Sequence, residues 1–373
     1  MISWARQRAG LTLEALESRF ERLQMWESGA VKPTIKQLND FARATHTPVG
    51  YLFLQEPPVE TLPVTDFRRI PAAEDRTPSP DLLDVLYLCQ QRQGWYRDFA
   101  VSYGEPAVDF VGSATSDEGP AEVASRLREV LGFDLEDRAD VPTWTDALRA
   151  LRQRAEEAGI LVMISGVMGS NTHRKLDPDE FRGFALSDPL APLIFVNGAD
   201  TKAAQIFTIA HEIGHLVLGE SGVSNPRPTR RGHLASERWC NAFAAELLVP
   251  IDALDHLERT DENITDEIKR LARYFKVSTL VILLRIHDAG RITREEFRTA
   301  YENELERVLN LDVRGGGGGS YYNTLRVHVS ERFVRAVVLD TLEGRTLYRD
   351  AFRMLGFRKQ ATFERLTAEL GIE

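Results

Sequence analysis

The stretch from Thr201 to Leu218 constrains the chain more than any other. Ile206, Phe207, Ile209, Ala210, Ile213, Val217 and Leu218 would spread apolar side chains around most of a helix, yet His211, Glu212 and His215 sit among them. A helix that is apolar nearly all round is buried, and buried polar groups must be paired, hydrogen-bonded or metal-bound. His211 and His215 are four residues apart, so they share a helix face and can grip one metal ion together. Glu212 points about 100° round the helix from His211, where it can take a proton from a water without being a ligand itself. Asp200 or Thr201 can cap the start of this helix and Gly219 can end it. The competing reading of the same residues is two buried, hydrogen-bonded histidines on a core helix.

Two histidines need a further protein ligand. A third histidine six residues after His215 would mark one extended H-E-x-x-H class, but that position is Ser221. A second helix, from about Ser236 to Leu248, carries Glu237 and Asn241 on one face. Glu237 can complete a His₂Glu site with a fourth position open to water, and Asn241 can accept a ring N–H from a ligand histidine. Glu246 is the rival ligand; nine residues from Glu237, it is roughly half a turn out of phase, so only one of them can face the metal. Glu237 is preferred. His233, in a loop of Gly, Pro and Arg, is a candidate for substrate contact as well as an ordinary surface histidine.

Ahead of the first helix, residues 159–164, 183–187 and 193–197 read as short apolar strands. Either of the last two could supply a sheet edge on which an extended substrate lies, with Phe184 as a candidate contact. Most other segments have helical spacing: 2–9, 12–19, 21–27, a helix capped by Thr34, 81–100, 121–131, 143–158, 252–310 and three more in 321–373. The fold class is therefore α+β, mainly helical, with a small sheet packed on the H-E-x-x-H helix and helical domains at both ends. At about 150 residues per domain, 373 residues suggest two or three domains. The expected boundaries are 1–56, a proline-rich linker 57–80, a central domain 81–295, and a C-terminal helical region 296–373 containing the glycine run Gly315–Gly319.

Two cysteines, Cys89 and Cys240, exclude a disulfide framework and a cysteine-rich zinc ribbon. No apolar leader or membrane-length apolar run is visible, so a cytoplasmic protein with no membrane partner is expected. The net charge of −10 argues against general nucleic-acid binding, although residues 1–55 hold seven Lys/Arg against five Asp/Glu.

Several motifs together resemble the ImmA/IrrE family of bacterial metallopeptidases: Phe181-Arg182-Gly183-Phe184, Pro192 to Asn197, Phe207 to Leu216, and Glu237 to Pro250. The resemblance implies a zincin-like zinc metalloendopeptidase with one zinc per chain on His211, His215 and Glu237, and with Glu212 catalytic. It also implies site-specific cleavage of a partner protein, such as a DNA-binding repressor or an adjacent toxin, in a prophage, stress or defence locus. Residues 6–54 resemble the XRE-type helix-turn-helix that precedes the longer members, followed by an Asp66-Phe67-Arg68 linker. One departure stands out. Leu16 to Phe20 runs straight into Glu21 to Trp26, so the turn between the second and third helices reads as deleted. Arg22 and Gln24 are candidate DNA contacts, but Glu21 and Glu27 repel phosphates, so protein docking or dimerisation stands beside DNA binding. Tyr348 to Leu370 reads as a helical hairpin in preference to a second helix-turn-helix. The alternative to an enzyme is a transcriptional regulator or antitoxin that binds DNA or a partner without cutting it.

Overall fold

The computed structural model describes residues 1–68, 77–133, 141–226, 234–257, 263–311 and 321–372. The chain divides into two compact units, Met1–Pro63 with Ala72–Tyr87, and Val64–Pro71 with Leu88–Glu373. His233 and the run Gly315–Gly319 lie outside the described residues.

The first unit contains α1 (Ile2–Arg8), α2 (Leu13–Glu17), α3 (Leu23–Glu27) and α4 (Ile35–Ala44). Thr34 and Gln37 form a capping box that starts α4, each satisfying the other's backbone N–H. Leu16, Phe20, Leu23, Trp26, Leu38, Phe41 and Leu52 make its core. The deleted turn expected between α2 and α3 is present, as Ser18–Arg22. The reason is Phe20: its ring is buried at 5.8 Å from Trp26 and 5.6 Å from Phe41. Burying it bends the chain where helical spacing alone would continue, and the two helices shorten to make room.

The second unit is built on a sheet. Its strands are β1 (Thr65–Asp66), β2 (Leu161–Ser165), β3 (Gly183–Leu186), β4 (Leu193–Asn197) and β5 (Gly222–Ser224), in the order β1-β5-β3-β4-β2. β1 runs parallel to β5 and β2 parallel to β4; β3 is antiparallel to both β4 and β5. The two strands expected to offer a substrate edge, β3 and β4, are therefore interior strands; their apolar residues are buried on both faces, as interior strands require. Its helices begin with α5 (Pro80–Tyr103), which starts in the first unit, and continue as α6 (Pro120–Leu131), α7 (Trp144–Glu157), α8 (Lys202–Leu218), α9 (Ala235–Leu248), α10 (Ile251–Asp255), α11 (Ile264–Phe275), α12 (Thr279–Asp288) and α13 (Arg294–Leu311). Among the described residues, no helix is long and apolar enough to cross a membrane.

Alternation along the strands separates two layers. Val162, Ile164, Ala185, Ile194 and Val196 share a core with α8, while Cys89 of α5 touches Met163 from the other layer. The C-terminal helices α14 (Tyr321–Val329), α15 (Glu331–Leu342), α16 (Tyr348–Leu355) and α17 (Gln360–Leu370) belong to this same unit, and α14 packs on β2. The three helices expected in 321–373 are four, because Ser330, in a positive-φ conformation, breaks the first of them.

Glu156 joins α7 to the start of α15. Its carboxylate accepts from Arg152 (2.9 Å) and from the backbone N–H of Glu331 (3.0 Å). Burial pushes its carboxyl up to about 7, outweighing the Arg152 charge. The folded chain holds this proton more tightly than the unfolded chain does. The contribution of Glu156 to stability is therefore full below about pH 4.5 and is lost as pH rises through about 7. A Glu156→Gln variant should lack that loss. Melting temperatures of the two proteins, followed from about pH 4 to pH 8, should diverge in the variant's favour as pH rises; parallel curves would contradict this account.

Candidate metal centre

Thr201 caps α8 by accepting from Ala204 N at 3.2 Å, and Gly219 ends it in the left-handed conformation at φ 73°. Within α8, His211, Glu212 and His215 are fully buried. Helix α9 crosses close to them at Gly214: a Cβ there would lie 3.1 Å from Phe243 Cδ1 and 3.2 Å from Cys240 Sγ. The missing side chain lets α9 bring Glu237 and Asn241 to the histidines.

The resulting distances are short. His211 Nε2 and His215 Nε2 are 3.1 Å apart, and Glu237 Oε1 lies 3.0 Å from His215 Nε2 and 3.5 Å from His211 Nε2. The opposite ring nitrogens fix the tautomers. His211 Nδ1 faces Asn241 Oδ1 at 3.1 Å and His215 Nδ1 faces Glu220 Oε2 at 3.1 Å. Both oxygens can only accept, so each Nδ1 carries a proton and Nε2 is the nitrogen each ring can offer to a metal once that site is deprotonated. Two ring nitrogens and a carboxylate oxygen then converge on one point. Tetrahedral coordination with bonds of about 2.0–2.1 Å sets ligand atoms about 3.4 Å apart, so the observed triangle fits a divalent metal. Glu237 is also fit to be a ligand in its charge state. Burial pushes its carboxyl up, but His211 and His215 outweigh burial and hold it at about 2. The rival, Glu246, is ion-paired to Arg285 and is not part of the cluster.

Glu212 stands beside this triangle. Ser224 of β5 donates its hydroxyl to Glu212 Oε1. Glu212 Oε2 is buried with no hydrogen-bond partner among the described residues. Burial pushes this carboxyl above the ordinary range, against the pull of His211, His215 and Ser224. Gly183 makes space for it: a Cβ there would lie 3.0 Å from Glu212 Oε1 and 2.6 Å from Thr208 Cγ2.

Because Gly183 faces α8, its neighbour Phe184 faces the opposite side of the sheet. Phe184 is fully buried there, 5.0 Å from the stacked ring of Phe195. Its expected role as a substrate contact is thus replaced by a core role. Sequence reasoning missed Glu220, Ser224, Gly183 and Phe67, whose ring stacks on His215 at 4.6 Å. Only Glu220 carried a local signal, since the residue after a left-handed cap folds back toward the last turn. The other three reach the site through sheet pairing.

Residues 155–287 match the family model described as the IrrE N-terminal-like domain, a peptidase family. The matched stretch includes β2 to β5, α8 to α11 and all but the last residue of α12. It is thus similar to a metallopeptidase domain of the ImmA/IrrE kind. Residues 329–369 match a domain of unknown function, DUF8813. No curated protein matches the chain.

The two kinds of partner make separable contributions. His211→Ala or Glu237→Ala should abolish stoichiometric metal binding. Asn241→Ala, which removes only the acceptor behind His211, should weaken it about 10–100-fold. Elemental analysis and chelator competition measure both, and unchanged affinity in Glu237→Ala would remove it from the ligand set.

Proposed function

We propose that the chain is a zinc-dependent endopeptidase that cleaves a regulatory partner protein, and that it carries one zinc on His211, His215 and Glu237. The observation that carries this reading is the unpartnered Oε2 of Glu212, buried beside a converging N, N, O donor set. Two imidazoles and one carboxylate, with a fourth position left for water, suit catalytic zinc better than a closed structural site. When bound, zinc supplies Lewis acidity toward water and toward a peptide carbonyl. Glu212 handles the proton. Its raised affinity for a proton suits a general base working near neutral pH. Oε2 accepts a proton from the attacking water and then returns it to the leaving amine nitrogen, while Ser224 holds the carboxylate by Oε1. The choice of a regulatory protein as substrate, a repressor or a toxin-associated neighbour, rests on the family resemblance.

A second reading concerns residues 1–56 and is compatible with the first. The turn Ser18–Arg22 is present, and both Arg22 and Gln24 are exposed at the start of α3. We propose that these two side chains contact DNA. α3 is only five residues long, which favours contact from its first turn alone.

Two experiments follow. Glu212→Gln should keep the metal and the fold while cleavage of the partner falls about 10²–10⁴-fold. Cleavage is scored by mass spectrometry on products of the neighbouring genes, and a wild-type rate in the variant would refute the assigned base. For the second reading, a gel shift on DNA upstream of the gene should weaken with salt, and Arg22→Ala should reduce both affinity and salt slope; no salt-sensitive shift would dismiss it.

A further inference from the structure

The segment Val64–Pro71 groups with the second unit although the chain on both sides of it groups with the first. Its described part is tied to that unit by strand pairing and by an ion pair. Thr65 and Asp66 pair with Gly222 and Val223 as β1, and Phe67 N donates to Val223 O at 3.0 Å. Arg68 grips Asp66 through two hydrogen bonds of 2.9 Å and lies 3.5 Å from the Glu180 carboxylate. Between these anchors the Phe67 ring lies on the His215 imidazole, with centroids 4.6 Å apart and planes 10° from parallel.

The fit leaves little slack. A Cβ at Gly222 would fall 2.2 Å from Phe67 Cε2 and 2.5 Å from Cδ2. The His215 ring is thus fixed in plane by Glu220 at Nδ1 and out of plane by Phe67 on its face. His211 has Asn241 at its Nδ1, and the ring centroid of Phe207 is 6.5 Å away and tilted by 36°.

We infer that Phe67 is a positioning residue of the metal centre: its ring holds the His215 imidazole in the plane that aims Nε2 at the metal. The segment in which it sits is then part of the peptidase unit. This inference rests on the metallopeptidase reading above. It makes no claim about which substrate is cut.

The full-length chain tests it, loaded with zinc for affinity and with cobalt for spectroscopy. Phe67→Ala should weaken zinc about tenfold or more in chelator competition, and should shift the visible cobalt bands as His215 tilts. Phe67→Tyr keeps the ring and should restore both. Phe67→Leu keeps bulk without a ring and should restore folding but not the cobalt spectrum. Gly222→Ala displaces the ring from the far side and should reproduce the Phe67→Ala spectrum. Melting of the metal-free forms separates loss of fold from loss of metal geometry. Wild-type zinc affinity and cobalt bands in Phe67→Ala would overturn the inference. So would a cleavage rate in Phe67→Ala above that of wild type, which would make the ring an obstruction. If the wild-type chain binds no zinc, the metallopeptidase reading itself fails, and that result is independent of any Phe67 variant.

Discussion

The His211–His215–Glu237 cluster depends on how closely α9 can approach α8. At Gly214 the two helices are already near van der Waals limits, with Phe243 and Cys240 occupying the space a side chain would need. Glycine inside a helix costs about 1 kcal/mol relative to alanine. The return is a carboxylate placed 3.0 Å from an imidazole nitrogen on a different element. A larger residue would part the helices, and Glu237 would move with α9. The contact is reinforced away from the metal, where Trp239 stacks on Phe243 at 5.3 Å and donates its indole N–H to Glu118 O at 2.8 Å. Packing and coordination geometry are one constraint here, because a tolerance of a few tenths of an ångström is shared between them.

A second close approach serves Glu212. Glu212 lies between the sheet and α8, and Gly183 is the point where the sheet yields space for its carboxylate. A buried carboxylate is costly unless its charge is compensated. Here the compensation is graded. Ser224 donates one hydrogen bond, and the neighbouring histidines draw the proton affinity back down, while burial holds it up. Glu237, on the same cluster, ends at the opposite extreme. Two carboxylates at one cluster are thus driven in opposite directions by environment, Glu212 upward and Glu237 downward, the kind of separation that sets acid and base roles apart.

Much of this was legible in the sequence, for a reason that can be stated. His211, Glu212, His215, Glu237 and Asn241 stand in i, i+1 and i+4 relations on two helices, and helical periodicity turns such spacing directly into shared faces. Helical phase sets Glu237 and Glu246 on opposite faces, and it is Glu237 that clusters with the two histidines. The α2–α3 turn is hidden in the sequence because Phe20 is apolar in a stretch whose helical pattern is otherwise continuous; only its burial against Trp26 and Phe41 reveals the bend. The sheet was less legible. Apolar runs such as Leu193–Asn197 announce strands but not neighbours, so from sequence β3 and β4 look like candidate edges. β5 and β1 are three and two residues long, below any length at which alternation can be recognised.

The shortest of these strands shows why composition misleads. Six prolines between Pro57 and Pro80 mark the stretch as extended and non-helical, and from sequence that reads as a linker. Extension is equally the requirement for joining a sheet, and a strand of two residues adds only one or two ladder bonds of its own. What holds Thr65–Arg68 is therefore not the ladder but the side chains at its end: the Asp66–Arg68–Glu180 charges and a phenyl ring received by a glycine on the neighbouring strand. Glu180 and Gly222 each lie more than a hundred residues away in sequence. Gly222 and Phe67 are individually unremarkable residues, and only the parallel register of β1 on β5 turns them into a socket and its occupant beside His215.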